Sequence, residues 1–246
     1  MAQSRPLLLL AGALVLVVAA DAARRSAARQ TAPPPPVEQR ATALPARAPA
    51  RASPAADAER RSEVMAHLAV EGADTYLPAM VAADSLLRRW PDARVTHPLR
   101  VATIRAAVPG YQEEFAGNVN WSITRWNGVL PMQLEPWTDS ATADILVTWT
   151  ERLDSNRTGR TDLTWDNLGW IHRAVVVLAT HMPDGRAMNG PEMTAVALHE
   201  LGHAIGLDHS PDSADALYPR TRAIELSERD RRTAQLLYRL PPGTLR

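Results

Sequence analysis

The sequence predicts a mixed helix and strand domain, α+β or α/β, in which a small sheet is backed by helices. Three observations point there. The β-branched runs at residues 145–149 and 171–178 read as strands. Tyr111, Phe115, Val119, Ile123 and Trp126 recur mainly every four positions, as on the buried stripe of a helix. The tryptophans run from Trp90 to Trp170, so a packed core is expected there rather than near the amino terminus.

At the amino terminus, Arg5 precedes an apolar run over residues 7–20, and Ala20-Asp21-Ala22 has the small residues of an A-x-A site. That layout predicts a secretory signal peptide over residues 1–22. The run is short of the roughly 20 residues that span a membrane. Arg24, Arg25 and Arg29 oppose translocation of the chain behind them, so an uncleaved membrane anchor is the alternative. Either way the protein is expected to be secreted, or held in the periplasm or cell envelope. Residues 23–57, rich in Ala, Arg and Pro and including Pro33 to Pro36, read as a disordered, semi-rigid linker.

Residues 58–95 form a helical extension in two pieces. In the second, Tyr76, Met80, Val81, Leu86, Leu87 and Trp90 lie near helical spacing, and Pro78 fits only in a first turn. This segment is either a propeptide or a helix packed on the main domain, residues 96–246. In that domain Pro98 introduces a strand at 99–104. Asn127-Gly128 is expected to close the helix that follows, because both residues tolerate the left-handed conformation. Further strands are expected at 132–137, 145–149, Gly159–Trp165 and 171–178, then helices from near Pro191 and after Ser227. Ser227 and Asp230 have the spacing of a capping box, with Asp in the usual place of Glu.

Composition excludes several functions. Lys and Arg number 27, as do Asp and Glu, so there is no basic footprint for nucleic acid. Cysteine is absent, which removes disulfides and thiolate metal ligands. A membrane partner enters only through the amino-terminal segment, and no residue pattern sets an oligomeric state.

The chemistry concentrates in His199-Glu200-Leu201-Gly202-His203-Ala204-Ile205-Gly206-Leu207-Asp208-His209. On a helix, positions four apart share a face with Cβ atoms about 5–6 Å apart, so His199 and His203 can address one ion. Gly206 can take positive φ and stop the helix, letting the chain turn back and present His209. Three neutral nitrogens leave a fourth position open, the pattern of a catalytic rather than a structural zinc. Glu200 stands beside the metal, placed to accept a proton from water and pass it to a leaving amine.

This H-E-x-x-H-x-x-G-x-x-H motif, followed by Ser210, resembles the matrixins, the metzincins that include matrix metalloproteinases. Asp212 and Ala216-Leu217-Tyr218-Pro219 occupy the spacing of the matrixin Met-turn, and residues 226–238 look like the carboxy-terminal helix. Upstream, Pro98 to Ile104, the helix ending near Trp126 and Ala143-Asp144-Ile145 are similar in order to the family's first strand, first helix and third strand. The resemblance covers about residues 96–240. It implies an α+β metzincin catalytic domain: a small mixed, twisted sheet, an active-site helix and a carboxy-terminal helix. It also implies one catalytic zinc and a protein or peptide substrate lying along an edge strand, here Gly159–Trp165. Arg220 and Arg222 follow Pro219, where the resemblance places the wall of the specificity pocket, against the simpler reading of solvated arginines; Tyr218 is read either as touching substrate or as packing. By analogy Asp144 is a calcium candidate, against the simpler reading of a strand-start cap.

Three departures stand out. Leu217 takes the methionine position, a swap of similar volume. Without cysteine the cysteine-switch latency cannot operate. Asp162, His172 and His181 lack the spacing of the family's structural-zinc loop and read as ordinary surface or loop residues, as do His67 and His97. The function expected is a zinc-dependent endopeptidase, with a zinc-holding binding or sensory module as the alternative.

Overall fold

The computed structural model describes residues 53–104 and 107–245. The expected signal peptide or anchor, and the linker ahead of residue 53, lie outside the described residues. Helix α1, Pro54–Glu71, opens the described chain: Ser53 accepts the Ala56 N–H at 3.3 Å, and Pro54 sits in the first turn, where its missing donor costs nothing. The helix therefore begins inside the stretch expected to be linker. Helix α2, Leu77–Ala83, carries Pro78 in its first turn as required.

The helical periodicity expected through Trp90 is corrected by the structure. Strand β1, Leu86–Leu87, replaces the end of that helix and pairs antiparallel with Gly243–Thr244 at the far end of the chain. Pairing with a distant segment overrides local spacing there. The chain continues through β2 Leu99–Thr103, α3 Glu114–Asn127, β3 Leu134–Trp137, β4 Ile145–Thr150 and β5 Gly159–Trp165. Then come β6 Ile171–Ala179, α4 Gly190–Ala204, α5 Glu228–Leu237 and β7 Gly243–Thr244.

The central sheet has the order β3-β2-β4-β6-β5. All its pairings are parallel except that β5 runs antiparallel to β6 at the edge, which makes the sheet mixed. Helix α4 packs against β5, β6 and α3, and α3 also meets β3. Helix α3 closes at Asn127-Gly128 as expected, but not through the expected conformation. Gly128 has φ −73°, in the right-handed region, so no left-handed cap forms. Instead the Asn127 side chain accepts the Leu134 N–H at 2.6 Å and donates to the Leu134 carbonyl at 2.9 Å, joining α3 to β3.

Phe115, Val119, Ile123 and Trp126 of α3 are buried in one core with Ile145 and Val147 of β4 and the apolar residues of α4. The same core takes Val64, Leu68, Tyr76, Leu77, Met80 and Leu87, so it reaches well ahead of Trp90. Among the described residues no helix is long and apolar enough to cross a membrane.

Candidate metal centre

Helix α4 sets the first two histidines. Asn189 and Glu192 form a reciprocal capping box, 2.9 and 3.0 Å, and fix where the helix starts. The helix is apolar nearly all round and buried accordingly. It stops at Gly206, whose φ of 101° suits glycine; a Cβ there would lie 2.2 Å from the Arg88 carbonyl oxygen. The turn brings His209 back, and ligand atoms of His199, His203 and His209 lie within 4.8 Å of one another.

Whether these residues suit a metal is answered by their outward nitrogens. His199 Nδ1 lies 2.8 Å from the Ala216 carbonyl oxygen and His203 Nδ1 lies 2.9 Å from that of Leu207. A carbonyl oxygen only accepts, so both Nδ1 atoms carry the proton and both Nε2 atoms present lone pairs. Those two Nε2 atoms face each other at 3.0 Å. Burial, together with the neighbouring histidines, lowers His199 to a pKa of about 3, and burial lowers His203 to about 4, so both are neutral near pH 7. Two lone pairs converge with no proton between them, beside a third imidazole. Such a group could hold a divalent cation, and imidazole nitrogens suit zinc.

Glu200 is 5% exposed and lies beside the histidines. Burial raises its pKa to about 7, opposed by Thr161, whose hydroxyl donates to Oε2 at 2.7 Å. The same hydroxyl lies 3.0 Å from the Glu200 carbonyl oxygen, tying β5 to α4. Strand β5 approaches so closely that a Cβ on Gly159 would sit 2.3 Å from Glu200 Oε1. Sequence reasoning missed both residues. Their signal exists only once the edge strand is laid across the helix.

The floor is the turn at residues 215–218. Leu217 is fully buried, and a Cβ on Gly202 would meet its Cδ2 at 2.7 Å, so α4 rests on this side chain. The Ser210 N–H donates to the Leu217 carbonyl at 2.9 Å, tying the turn to the residue after His209. Asp230 does more than cap α5: it accepts from Ser227 N–H at 2.9 Å, Ala216 N–H at 2.8 Å and the Tyr76 hydroxyl at 3.3 Å. Asp215, also missed in the sequence, is buried and accepts from the hydroxyls of Ser210 and Ser227 and from Arg229.

A cavity of about 410 Å³ opens over Glu200 and the three histidines, walled by residues 156–161 and by Pro219, Arg220 and Thr221. Arg222 lines the adjoining groove of about 680 Å³ with Pro191 and Ile224. Tyr218 is half-buried and does not line either. The remaining residues singled out in the sequence do not converge. Asp162 pairs with Arg160 at 3.0 Å, His172 with Asp166 at 3.2 Å, and His181 lies 3.0 Å from the Thr180 hydroxyl. His67 meets Glu71, and His97 meets Thr96. Asp144 is buried and engaged by Arg94 at 2.6 Å and by the Arg100 N–H at 2.9 Å, so its carboxylate closes a strand start, as the cap reading has it.

The sequence also matches known proteins. A segment of this chain is 45% identical over 60 residues to matrilysin of Felis catus, which is 22% of this chain and 22% of that protein's length. The chain thus aligns with under a quarter of the curated relative it matches. The model of the family described as Matrixin matches residues 90–239, well over half the sequence, and takes in the whole sheet, α4, the floor turn and α5. The chain therefore belongs to the matrixin family of zinc metallopeptidases.

Proposed function

We propose that this protein is a zinc-dependent endopeptidase, with His199, His203 and His209 holding the ion and Glu200 acting as general base. The observation that carries the reading is the pair of Nε2 lone pairs facing at 3.0 Å beside a buried, upward-shifted carboxylate. Zinc held there would supply Lewis acidity, polarising a peptide carbonyl and lowering the pKa of water towards neutrality. Glu200 takes the proton from the attacking water and delivers it to the leaving amine, a transfer suited to a group that titrates near neutrality. Thr161 holds that carboxylate in place. The free edge of β5, which pairs only with β6 among the described strands, supports an extended peptide bound by strand addition. Location outside the cytoplasm, in the envelope or beyond, rests on the expected amino-terminal leader.

A zinc-holding module without activity has no use for a buried carboxylate tuned this way, and Leu217 is fully buried in the floor. Glu200→Ala decides the mechanism. It is expected to keep about one zinc per chain while kcat falls by at least about 10²–10⁴-fold. Turnover that survives this change would remove Glu200 as the base; a chain that never takes up zinc would end the peptidase reading.

A further inference from the structure

We propose that residues 80–88, which precede the matrixin-matched segment, form one wall of the substrate cleft and read a cationic side chain of the substrate through Asp84 and Asp208. This rests on the peptidase reading above.

A second cavity, of about 230 Å³, lies beside His203. Met80, Asp84, Leu86 and Arg88 form one wall; Leu163 and Asp208 belong to the other. Thr161 and His203 line both this cavity and the larger one, so the two meet at the metal centre. The larger one flanks β5 at residues 159–161 and the smaller continues to Leu163. Side chains on one face of an extended peptide stand about 7 Å apart. A peptide lying along β5 with one residue at the metal therefore offers a neighbouring side chain to the second cavity, away from Pro219 and Thr221.

The wall is anchored. Leu86 and Leu87 pair with β7, and the Arg88 carbonyl abuts Gly206. The Arg88 guanidinium bonds Asp84 at 2.5 Å and lies 4.6 Å from the ring centre of Trp165, itself exposed at the end of β5. These contacts tie the segment to the last turn of α4, the edge strand and the carboxy terminus at once.

Charge and shape select the occupant. Two carboxylates and one guanidinium face the cavity, a balance of one negative charge. Asp84 gives one oxygen to Arg88, and Asp208 gives Oδ1 to the His209 N–H at 2.7 Å. Their side chains remain 38% and 50% exposed, so the other oxygens are open to a ligand. Met80, Leu86 and Leu163 provide an apolar lining for the methylene stem of a lysine or arginine. The volume falls below the about 300–1,000 Å³ of small-molecule sites and fits a single side chain. The larger cavity carries Arg157, Arg160 and Arg220 instead. The opposite signs of the two halves would fix the register of a bound peptide.

The test presents a peptide series, varied one position at a time, to two forms of the zinc-loaded full chain. The wild type is read by kcat/KM, and Glu200→Ala by binding affinity. One position, on the side of the scissile bond away from the Pro219 to Thr221 wall, is expected to favour Lys or Arg over Glu by about tenfold in both readouts. Asp84→Lys is expected to abolish or reverse that preference and leave the other positions as they were, with Asp84→Asn weakening it; melting curves check that both variants fold. A profile untouched by Asp84→Lys overturns the proposal. If the wild type cleaves nothing, the binding series still decides: a preference that Asp84→Lys reverses keeps the pocket and removes the peptidase reading, and its absence removes the pocket.

Discussion

Beneath the histidines, α4 rests on the turn at residues 215–218 through a chain of hydrogen bonds. It runs from His199 to the Ala216 carbonyl, from the Ala216 N–H to Asp230, and from Asp230 to the Tyr76 hydroxyl. The flank at residues 86–90 meets the last turn of the same helix mainly by packing. Trp90 is fully buried and gives one hydrogen bond, to the Ala204 carbonyl at 2.9 Å, while Arg88 presses its backbone against Gly206. The floor thus sets direction, aiming the His199 imidazole, whose Nδ1 is fixed by the Ala216 carbonyl. The flank sets position, packing where the helix stops. Directional contacts and buried volume fail differently, and that difference can be measured.

The largest effect is expected at the histidines. His203→Ala should take zinc content from about one per chain to near zero, with peptide turnover lost, because two remaining imidazoles no longer form a three-nitrogen site. Metal analysis after desalting checks it. Breaking the flank should do the reverse, costing stability without costing the metal stoichiometry. Trp90→Ala empties a fully buried indole site and is expected to lower stability by about 3–5 kcal/mol in urea unfolding. If Trp90→Ala releases zinc as completely as His203→Ala, floor and flank are not separable.

Within the floor, Leu217→Ala should cost about 2–5 kcal/mol, whereas Leu217→Met should cost under about 1.5 kcal/mol, since only the first opens a cavity under Gly202. Equal costs would mean that Leu217 is not what α4 rests on. The smallest effect concerns pH. His199 and His203 have folded pKa values near 3 and 4, below the ordinary 6.5. Between those limits the unfolded chain binds protons that the folded chain does not. Stability of the metal-free protein should therefore fall as pH drops from 6.5 towards 4, by about 2 kcal/mol per histidine at pH 5. A flat profile over that window would show that burial does not hold these rings neutral.

Legibility in the sequence tracked the range of the interactions. Strand β5 appeared at Gly159–Trp165 as expected, and the capping box at Ser227 and Asp230 formed, because alternation and capping are local. The second helical piece failed beyond Ala83 because Leu86 and Leu87 answer to residues at the far end of the chain. Asn127 failed as a left-handed cap for a related reason: its amide found both backbone groups of Leu134, which compete with the local conformation. Asp144 read correctly as a cap, yet its two arginines, Arg94 and Arg100, came into view only in three dimensions.

The order of residues alone determined the candidate metal site, since histidines four apart on a helix, a neighbouring carboxylate and a glycine stop express their geometry within one short segment. Only the tertiary structure decided what surrounds it: Thr161 and Gly159 laid against Glu200, Asp230 serving both α5 and the floor, and residues 80–88 closing a second pocket. The physical reason is separation along the chain. Contacts between distant segments depend on which buried surfaces meet, and no local periodicity records that meeting.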